Sequence, residues 1–278
     1  MINILSIDVE EWYHICGVEH YLPLKKREGF ESRLSGNMDS ILDLLSEYRF
    51  KATFFVLGCI AEKYPQLIKR IDEGGHEIAS HGYAHNRIYE MSKAAFREDT
   101  MRSAGILESI TGKRILGFRA PEWSVWPETL WALDILAELG IKYDSSVCPF
   151  IFLGGRRLGR FPFPYKTKNG TLWEFPVSTM SFLGEPIPAT GGFPLRLFPF
   201  SFIAHVVSCW NRKGFPAIIY LHPWELDKDP PRVHLPLIKK IIHYFNIHST
   251  RDKLIGLFQR FSFSTFKDVY KERLENLI

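Results

Sequence analysis

Two histidines with the spacing of metal ligands occur in the segment Glu77-Ile-Ala-Ser-His-Gly-Tyr-Ala-His-Asn86. His81 and His85 are four residues apart and follow a short apolar run that is typical of a strand end. On a helical turn, side chains at i and i+4 lie on one side, so both imidazoles can reach one cation. Gly82 occupies the position that carries a glutamate base in the metalloprotease version of this spacing, so a base must come from elsewhere. The pair alone also fits two surface or capping histidines.

Further polar clusters follow other apolar runs with strand character. The clusters are Asp8 with Glu10, Arg119, Asp144 and His222. Asp8 and Glu10 share one face if the first strand continues through them, because side chains alternate along a strand. The carboxyl ends of the strands in a parallel barrel meet at one face, so these clusters and the histidine pair are expected to share a cleft. Taken singly, each also fits a structural role, such as an ion pair for Arg119 or a helix cap for Asp144.

The elements that would position these residues alternate between strands and helices. Apolar or β-rich runs predict strands at 2–7, 51–56, 76–80, 115–118, 141–143, 172–177 and 217–221. Helical spacing, together with cap, glycine and proline signals, predicts helices at 38–48, 60–73, 93–111, 127–139 and 198–213. Such alternation is the pattern of an α/β fold built as a parallel barrel.

The composition of the chain changes after the last predicted strand. Asp229-Pro-Pro231 marks a boundary. Runs with helical spacing then follow at 234–248, 249–261 and 264–276. We therefore expect a barrel over residues 1–226 and a C-terminal extension packed on it over residues 227–278. A Gly/Pro-rich stretch at 147–170 is expected to cross the mouth of the site.

Composition limits the classes of function. The chain has 278 residues, of which 46% are hydrophobic, and this is ample for one large core. A net charge of +4 is too small an excess to indicate nucleic-acid binding. The first residues enter a strand at once without the features of a leader, and no apolar run approaches transmembrane length. The scattered cysteines are typical of free thiols in a reducing compartment, so we expect a cytoplasmic protein. The sequence leaves open whether the protein forms a homo-oligomer.

Five motifs occur in order over residues 1 to about 225. They are Ser6-Ile-Asp-Val-Glu10, His81-Gly-Tyr-Ala-His85, Arg119-Ala-Pro121, Asp144-Ser-Ser146 and Leu221-His-Pro223. Their order and spacing resemble the NodB-type polysaccharide deacetylases, carbohydrate esterase family four. The resemblance implies a distorted (β/α) barrel of NodB type with a helical C-terminal extension and a divalent metal, usually zinc. It also implies hydrolysis of the N-acetyl group of an amino sugar in a polysaccharide or its precursor.

Longer segments resemble the subgroup associated with exopolysaccharide gene clusters and the exosortase system. They are Asp8-Val-Glu-Glu-Trp-Tyr-His14, His222-Pro-Trp-Glu-Leu-Asp227 and parts of the tail such as His243-Tyr-Phe-Asn246. One departure concerns the first motif, where most of the family has two adjacent aspartates, the first a base and the second a ligand. Val9 follows Asp8 here and cannot ligate. The chain resembles a variant in which the acid two residues on, Glu10, supplies the ligand.

The resemblance implies a role for each site residue. Glu10, His81 and His85 would hold the metal, with Asp8 or Asp144 as alternatives for the third ligand. Asp8 would act as general base on the attacking water. Its ionised form would be held and aimed by Arg119, and a backbone N–H near Glu122 or Trp123 would help to stabilise the oxyanion.

The leaving amine needs a proton, and His222 would supply it. Asp144 would orient His222 and raise its pKa. Leu221 and Trp123 would form the apolar wall that receives the acetyl methyl group and the sugar face. Glu174 fits a structural carboxylate better than a catalytic one.

Two other functions stay open at this point. Some relatives of the family open cyclic amides of small heterocycles, occasionally without metal, and retention of both histidines disfavours the metal-free version. A barrel that has lost activity and binds glycan within an assembly complex is the non-enzymatic hypothesis, and Val9 is its only support. The sequence leaves open which sugar is bound and whether the substrate is a polymer or a lipid-linked intermediate.

Overall fold

The computed structural model describes residues 1–14, 21, 29–150 and 158–271. Its strands are β1 Ile2–Val9, β2 Thr53–Val56, β3 Glu77–Ser80, β4 Gly117–Phe118, β5 Tyr143–Asp144, β6 Phe163–Thr167, β7 Gly170–Glu174, β8 Thr179–Phe182, β9 Glu185–Pro188, β10 Ile218–Leu221 and β11 Ser262–Ser264. Its α-helices are α1 Leu34–Tyr48, α2 Gly58–Lys63, α3 Pro65–Glu73, α4 Lys93–Thr111, α5 Trp131–Glu138, α6 Gly192–Leu197, α7 Phe200–Arg212, α8 Leu237–Tyr244, α9 Ser249–Arg260 and α10 Phe266–Val269. Short 3₁₀ helices occur at Ile88–Glu90, Pro121–Trp123, Pro127–Thr129 and Pro223–Leu226.

One curled sheet carries the fold. Its strand order is β10-β1-β2-β3-β4-β5-β7-β6, and the pairs are parallel except β6 with β7. The predicted α/β architecture and distorted barrel are confirmed, with β10 and β6 as the two ends of this order. The predicted helix at 60–73 is two helices, since Pro65 starts a new one.

The alternation along β1 separates the packing core from the site. Leu5, Ile7 and Val9 belong to the large cluster that packs against the helices. Ile4 belongs to a second cluster on the other face of the sheet. Asp8 follows on that second face, beyond the apolar layer, so the strand itself carries a carboxylate into the interior of the barrel.

The C-terminal segment joins the sheet. Between the helices predicted at 249–261 and 264–276, β11 pairs in parallel with β1, with Ile2 opposite Ser262. The sequence Phe261-Ser-Phe-Ser264 alternates with a period of two, which favours this strand, and the helix predicted from residue 264 begins at Phe266. Phe266 follows it, is fully buried and stacks on Tyr143 at a centroid distance of 5.1 Å. The tail therefore closes one end of the barrel.

The described helices include none that is both apolar enough and long enough to cross a membrane. Of the stretch at 147–170, residues 151–157 lie outside the described residues. The remainder includes β6, and Arg160 donates to the Thr179 hydroxyl at 2.8 Å.

Candidate active site

The strand ends bring the motif residues around one cavity of about 300 Å³. Asp8 lies near the end of β1 and Glu10 directly follows the strand, His81 follows β3, Arg119 follows β4, and His222 follows β10. The cavity walls include Asp8, Glu10, His81, His85, Glu122, Trp123 and His222. The parallel arrangement explains how residues that are far apart in sequence converge.

Glu10, His81 and His85 offer three ligand atoms that all lie within 4.8 Å of one another. The Nε2 atom of His85 is 2.8 Å from a carboxylate oxygen of Glu10. Burial raises the pKa of Glu10, but the charges of His85 and His222 outweigh it and bring the pKa to about 2. Two imidazoles and an ionised carboxylate are a donor set suited to a catalytic divalent cation such as zinc.

The His81 ring is oriented for ligation. Its Nδ1 lies 2.7 Å from the carbonyl oxygen of Arg119. A carbonyl oxygen only accepts hydrogen bonds, so Nδ1 carries the proton and the lone pair is on Nε2. Burial lowers the pKa of His81 to about 4, which keeps the ring neutral. A second hydrogen bond of this kind orients most metal-binding histidines.

The loop from His81 to His85 is not the helical turn that the spacing predicted. Gly82 and His85 both have left-handed backbones, with φ of 76° and 61°. Asp99 accepts a 2.7 Å hydrogen bond from the backbone N–H of Tyr83 and so fixes the loop. The two imidazoles converge through these reversals, with ring centroids 5.6 Å apart. A non-glycine residue at positive φ is costly, and such strain concentrates at functional sites.

Asp8 and Arg119 form a buried ion pair. The guanidinium donates to Asp8 at 2.7 Å and to the Ser6 hydroxyl at 2.9 Å. It also donates to the carbonyl and hydroxyl of Ser145, at 3.1 and 3.0 Å. These bonds fix Arg119, which is 1% exposed, and through it one oxygen of Asp8. The second oxygen of Asp8 is 3.9 Å from Nε2 of His222.

Glu225, and not Asp144, orients His222. The Nδ1 atom of His222 lies 2.9 Å from Glu225, and Nε2 lies 3.2 Å from Glu10. Glu225 in turn accepts a 2.7 Å bond from Arg196, which is fully buried. Burial lowers the pKa of His222, but Glu10 and Glu225 outweigh it and raise the pKa to about 9. Nε2 of His222 therefore faces the cavity beside Glu10 and Asp8.

Asp144 takes part in a different network. It accepts a hydrogen bond from the Ser146 hydroxyl, and that hydroxyl also accepts one from the backbone N–H of Ala120 at 2.7 Å. Glu174 forms a carboxyl pair with Asp144 and accepts from the N–H of Val147 at 2.9 Å. Burial raises the pKa of Asp144 to about 6 and that of Glu174 well above its usual value. The pair supports the Arg119 loop.

The apolar wall differs from the prediction at one residue. Leu221 is 1% exposed and belongs to the core, because it lies on the opposite face of β10 from Tyr220 and His222. Tyr220 lines the cavity in its place and contacts Trp123 edge to face at 4.9 Å. Glu122 and Trp123 both have φ of 54°, which turns this loop along the cavity wall.

Sequence reasoning missed several residues at the cavity. His14 is buried and stacks on His85 at 5.7 Å with an angle of 13° between the rings. His243 on α8 is buried, and burial lowers its pKa to about 3. The available signal for Glu225 was its position three residues after His222, the separation of a capping box. Arg196 gave no comparable signal.

Comparisons with known proteins bear on two parts of the chain. A family model described as polysaccharide deacetylase matches residues 29–143. A second model, described as a domain of unknown function (DUF3473), matches residues 145–271. The cavity combines both parts: His81, His85 and Arg119 come from the segment that the first model matches, and Arg196, His222 and Glu225 come from the segment that the second model matches.

Curated relatives match part of the chain. A peptidoglycan-N-acetylglucosamine deacetylase of Bacillus cereus is 35% identical over 117 residues, which cover 38% of this chain and 42% of that protein. A chitooligosaccharide deacetylase of Sinorhizobium fredii is 38% identical over 100 residues, covering 34% and 42%. The chain thus spans less than half the length of these relatives.

A solved structure resembles the whole fold. It is a protein from Mycobacterium smegmatis that was assigned as a polysaccharide deacetylase, with a TM-score of 0.64 and 19% identity over 100% of this chain and 92% of that one. The structure of the Bc1960 peptidoglycan N-acetylglucosamine deacetylase matches with a TM-score of 0.51 and 17% identity, covering 95% of this chain and 86% of that one. These likenesses concern the fold.

Proposed function

We propose that the protein is a metal-dependent deacetylase that hydrolyses the N-acetyl group of an amino sugar and releases acetate. The observation that carries the proposal is the convergence of Glu10, His81 and His85 beside the His222 ring, whose Nε2 lies 3.2 Å from Glu10. The segment that the polysaccharide deacetylase model matches and the activities named for its relatives support the same class of reaction. We place the substrate within a polysaccharide or its precursor.

Glu10, His81 and His85 would hold the cation, most simply zinc, through one carboxylate oxygen and two imidazole nitrogens. When bound, such a cation polarises a carbonyl and makes water more acidic. Asp8 accepts the proton of the attacking water, because Arg119 fixes one of its oxygens and leaves the other toward the cavity. The Arg119 ion pair also keeps this carboxylate aimed during the reaction.

His222 donates the proton that the leaving nitrogen needs. Its Nδ1 is held by Glu225, so the proton on Nε2 points toward Glu10 and Asp8, where the scissile bond would lie. An amide nitrogen is a poor leaving group without such a proton. Trp123 and Tyr220 offer aromatic faces for the sugar ring.

The finer assignment is an exopolysaccharide-associated deacetylase that acts in the cytoplasm. Its support is the resemblance of the segments that begin at Asp8 and His222 to that subgroup. Cys59, Cys148 and Cys209 are free thiols, which fits a reducing compartment.

Acetate release tests the proposal. Zinc-loaded protein is incubated with an N-acetylglucosamine oligomer and, separately, with a small cyclic amide. We expect acetate from the oligomer and no ring opening of the cyclic amide. Ring opening alone would assign the site to cyclic-amide hydrolysis, and neither product from metal-loaded protein would favour an inactive glycan-binding scaffold.

A further inference from the structure

Helix α8, beside the cavity, has its apolar face directed to solvent. The exposed fractions are 72% for Leu237 and 73% for Ile238, and they are between 44% and 45% for Ile241, Ile242 and Phe245. At 3.6 residues per turn these positions span about 140° of the helix circumference. A helix in a globular protein usually turns this stripe to the core.

The opposite face of α8 is polar and turned inward. His243 is buried against Trp224 at 4.7 Å, and half-buried Lys239 lines the cavity. Arg196 holds the helix end by donating to the carbonyl oxygens of Ile242 and His243 at 2.8 and 2.9 Å. The orientation is therefore fixed by buried hydrogen bonds, and the apolar stripe stays outside.

We propose that α8 docks the protein on the surface of an anionic lipid bilayer, with the cavity opening beside the bilayer. The stripe is aliphatic apart from Phe245, and aliphatic side chains partition into acyl chains, whereas sugars stack on aromatic rings. Residues 230–251 contain no Asp or Glu, and Arg232 and Lys240 are exposed there. Basic groups beside an apolar stripe complement anionic headgroups.

The dimensions of the stripe favour a bilayer over a second copy of the chain. An eight-residue helix is about 12 Å long, which suits a position in the plane of the interface. A stable dimer interface uses roughly 20–30 residues on each side, and this stripe supplies only a few.

The cavity adjoins the apolar stripe of α8, and this affects which substrate a docked protein would meet. Ile242 belongs to the stripe and also lines the cavity, so the two surfaces are continuous. A docked protein would receive an acetylated sugar that is attached to a lipid at the bilayer. This consequence rests on the proposed deacetylase function, whereas docking itself does not.

Vesicle flotation tests the docking. The full chain is mixed with vesicles of phosphatidylcholine alone or with about one third phosphatidylglycerol, at low and high salt. We expect binding to the anionic vesicles that weakens with salt. Leu237→Ser/Ile238→Ser should lower the affinity at least tenfold. Met101→Ser/Leu183→Ser, which removes two exposed apolar side chains elsewhere, should leave it unchanged.

Two further measurements separate the possible failures. Acetate release from a short, freely dissolved N-acetylglucosamine oligomer should be equal in wild type and Leu237→Ser/Ile238→Ser, so loss of docking is distinct from loss of function. Failure of the wild-type protein to bind anionic vesicles would overturn the proposal. So would a wild-type dimer in sedimentation velocity that dissociates in the same variant, since a second copy would then cover α8.

Discussion

The cavity has a His81 side and a His222 side, and the two imidazoles differ in the group that holds Nδ1. A backbone carbonyl holds Nδ1 of His81, and burial lowers the pKa of this ring to about 4. A carboxylate, Glu225, holds Nδ1 of His222, and together with Glu10 it overcomes burial and raises the pKa to about 9. The neutral partner thus leaves a lone pair for a cation, and the charged partner keeps a proton for a leaving group.

Asp8 lies between the two sides. Of the substitutions considered, Asp8→Asn should have the largest effect on the rate of acetate release. The amide keeps the shape of the carboxylate but cannot take a proton from water. We expect the turnover number for acetate release to fall about 10²–10⁴-fold, the usual contribution of a general base. Zinc per chain should be unchanged.

Zinc content decides between two roles for Asp8. If Asp8→Asn loses its zinc along with its activity, Asp8 is a ligand, and the division between base and ligands is wrong. Ser6→Ala removes a neighbouring hydrogen bond to Arg119 without touching the carboxylate and serves as the matched control.

Glu225→Gln should lower the basicity of His222 and so make this ring more like His81. Without the carboxylate the pKa of His222 falls, and less of the ring is protonated at neutral pH. We expect the turnover number to fall on the order of 10–100-fold, with an unchanged KM and unchanged zinc. Steady-state kinetics with metal analysis measures this.

The control for that variant is Glu138→Gln, at an exposed ion pair with Arg97. Equal losses in Glu225→Gln and Glu138→Gln would mean that charge removal as such is responsible. A rise in KM without a change in turnover would contradict a positioning role for Glu225.

Glu174→Gln should have the smallest effect of the three substitutions, and this effect should be on the stability of the folded protein. Burial raises the folded-state pKa of Asp144 to about 6, and that of Glu174 well above its usual value. The folded protein therefore binds more protons than the unfolded chain, and its stability falls as pH rises from about 4 through 6 and beyond. The amide introduced by Glu174→Gln has no proton to lose, so the melting temperature of the variant relative to wild type should increase with pH.

Thermal unfolding at pH 5 and pH 8 measures the difference. A relative gain of about 1 kcal/mol corresponds to about 2–4 °C for a chain of this size. The same difference at both pH values would show that the carboxyl pair does not carry a raised pKa.

The sequence predicted the fold because strand and helix periodicities were clear. It also predicted which residues converge, because parallel strands end at one face. Leu221 was misplaced although alternation along β10 already put it opposite Tyr220 and His222. The partner of His222 was missed because a 3₁₀ turn, Pro223–Leu226, brings Glu225 back to the ring. The left-handed φ of His85 was not predicted, because only a few per cent of non-glycine residues have a positive φ, even though histidine is enriched among them.

Bound metal per chain tests the central claim most directly. Wild type, Glu10→Ala and His81→Ala are equilibrated with zinc, freed of excess and analysed for metal, with circular dichroism as the folding control. We predict close to one zinc in wild type and a large loss in both variants with the fold intact. Full zinc in Glu10→Ala would contradict the account, because the third ligand would then have to be another acid, such as Asp8.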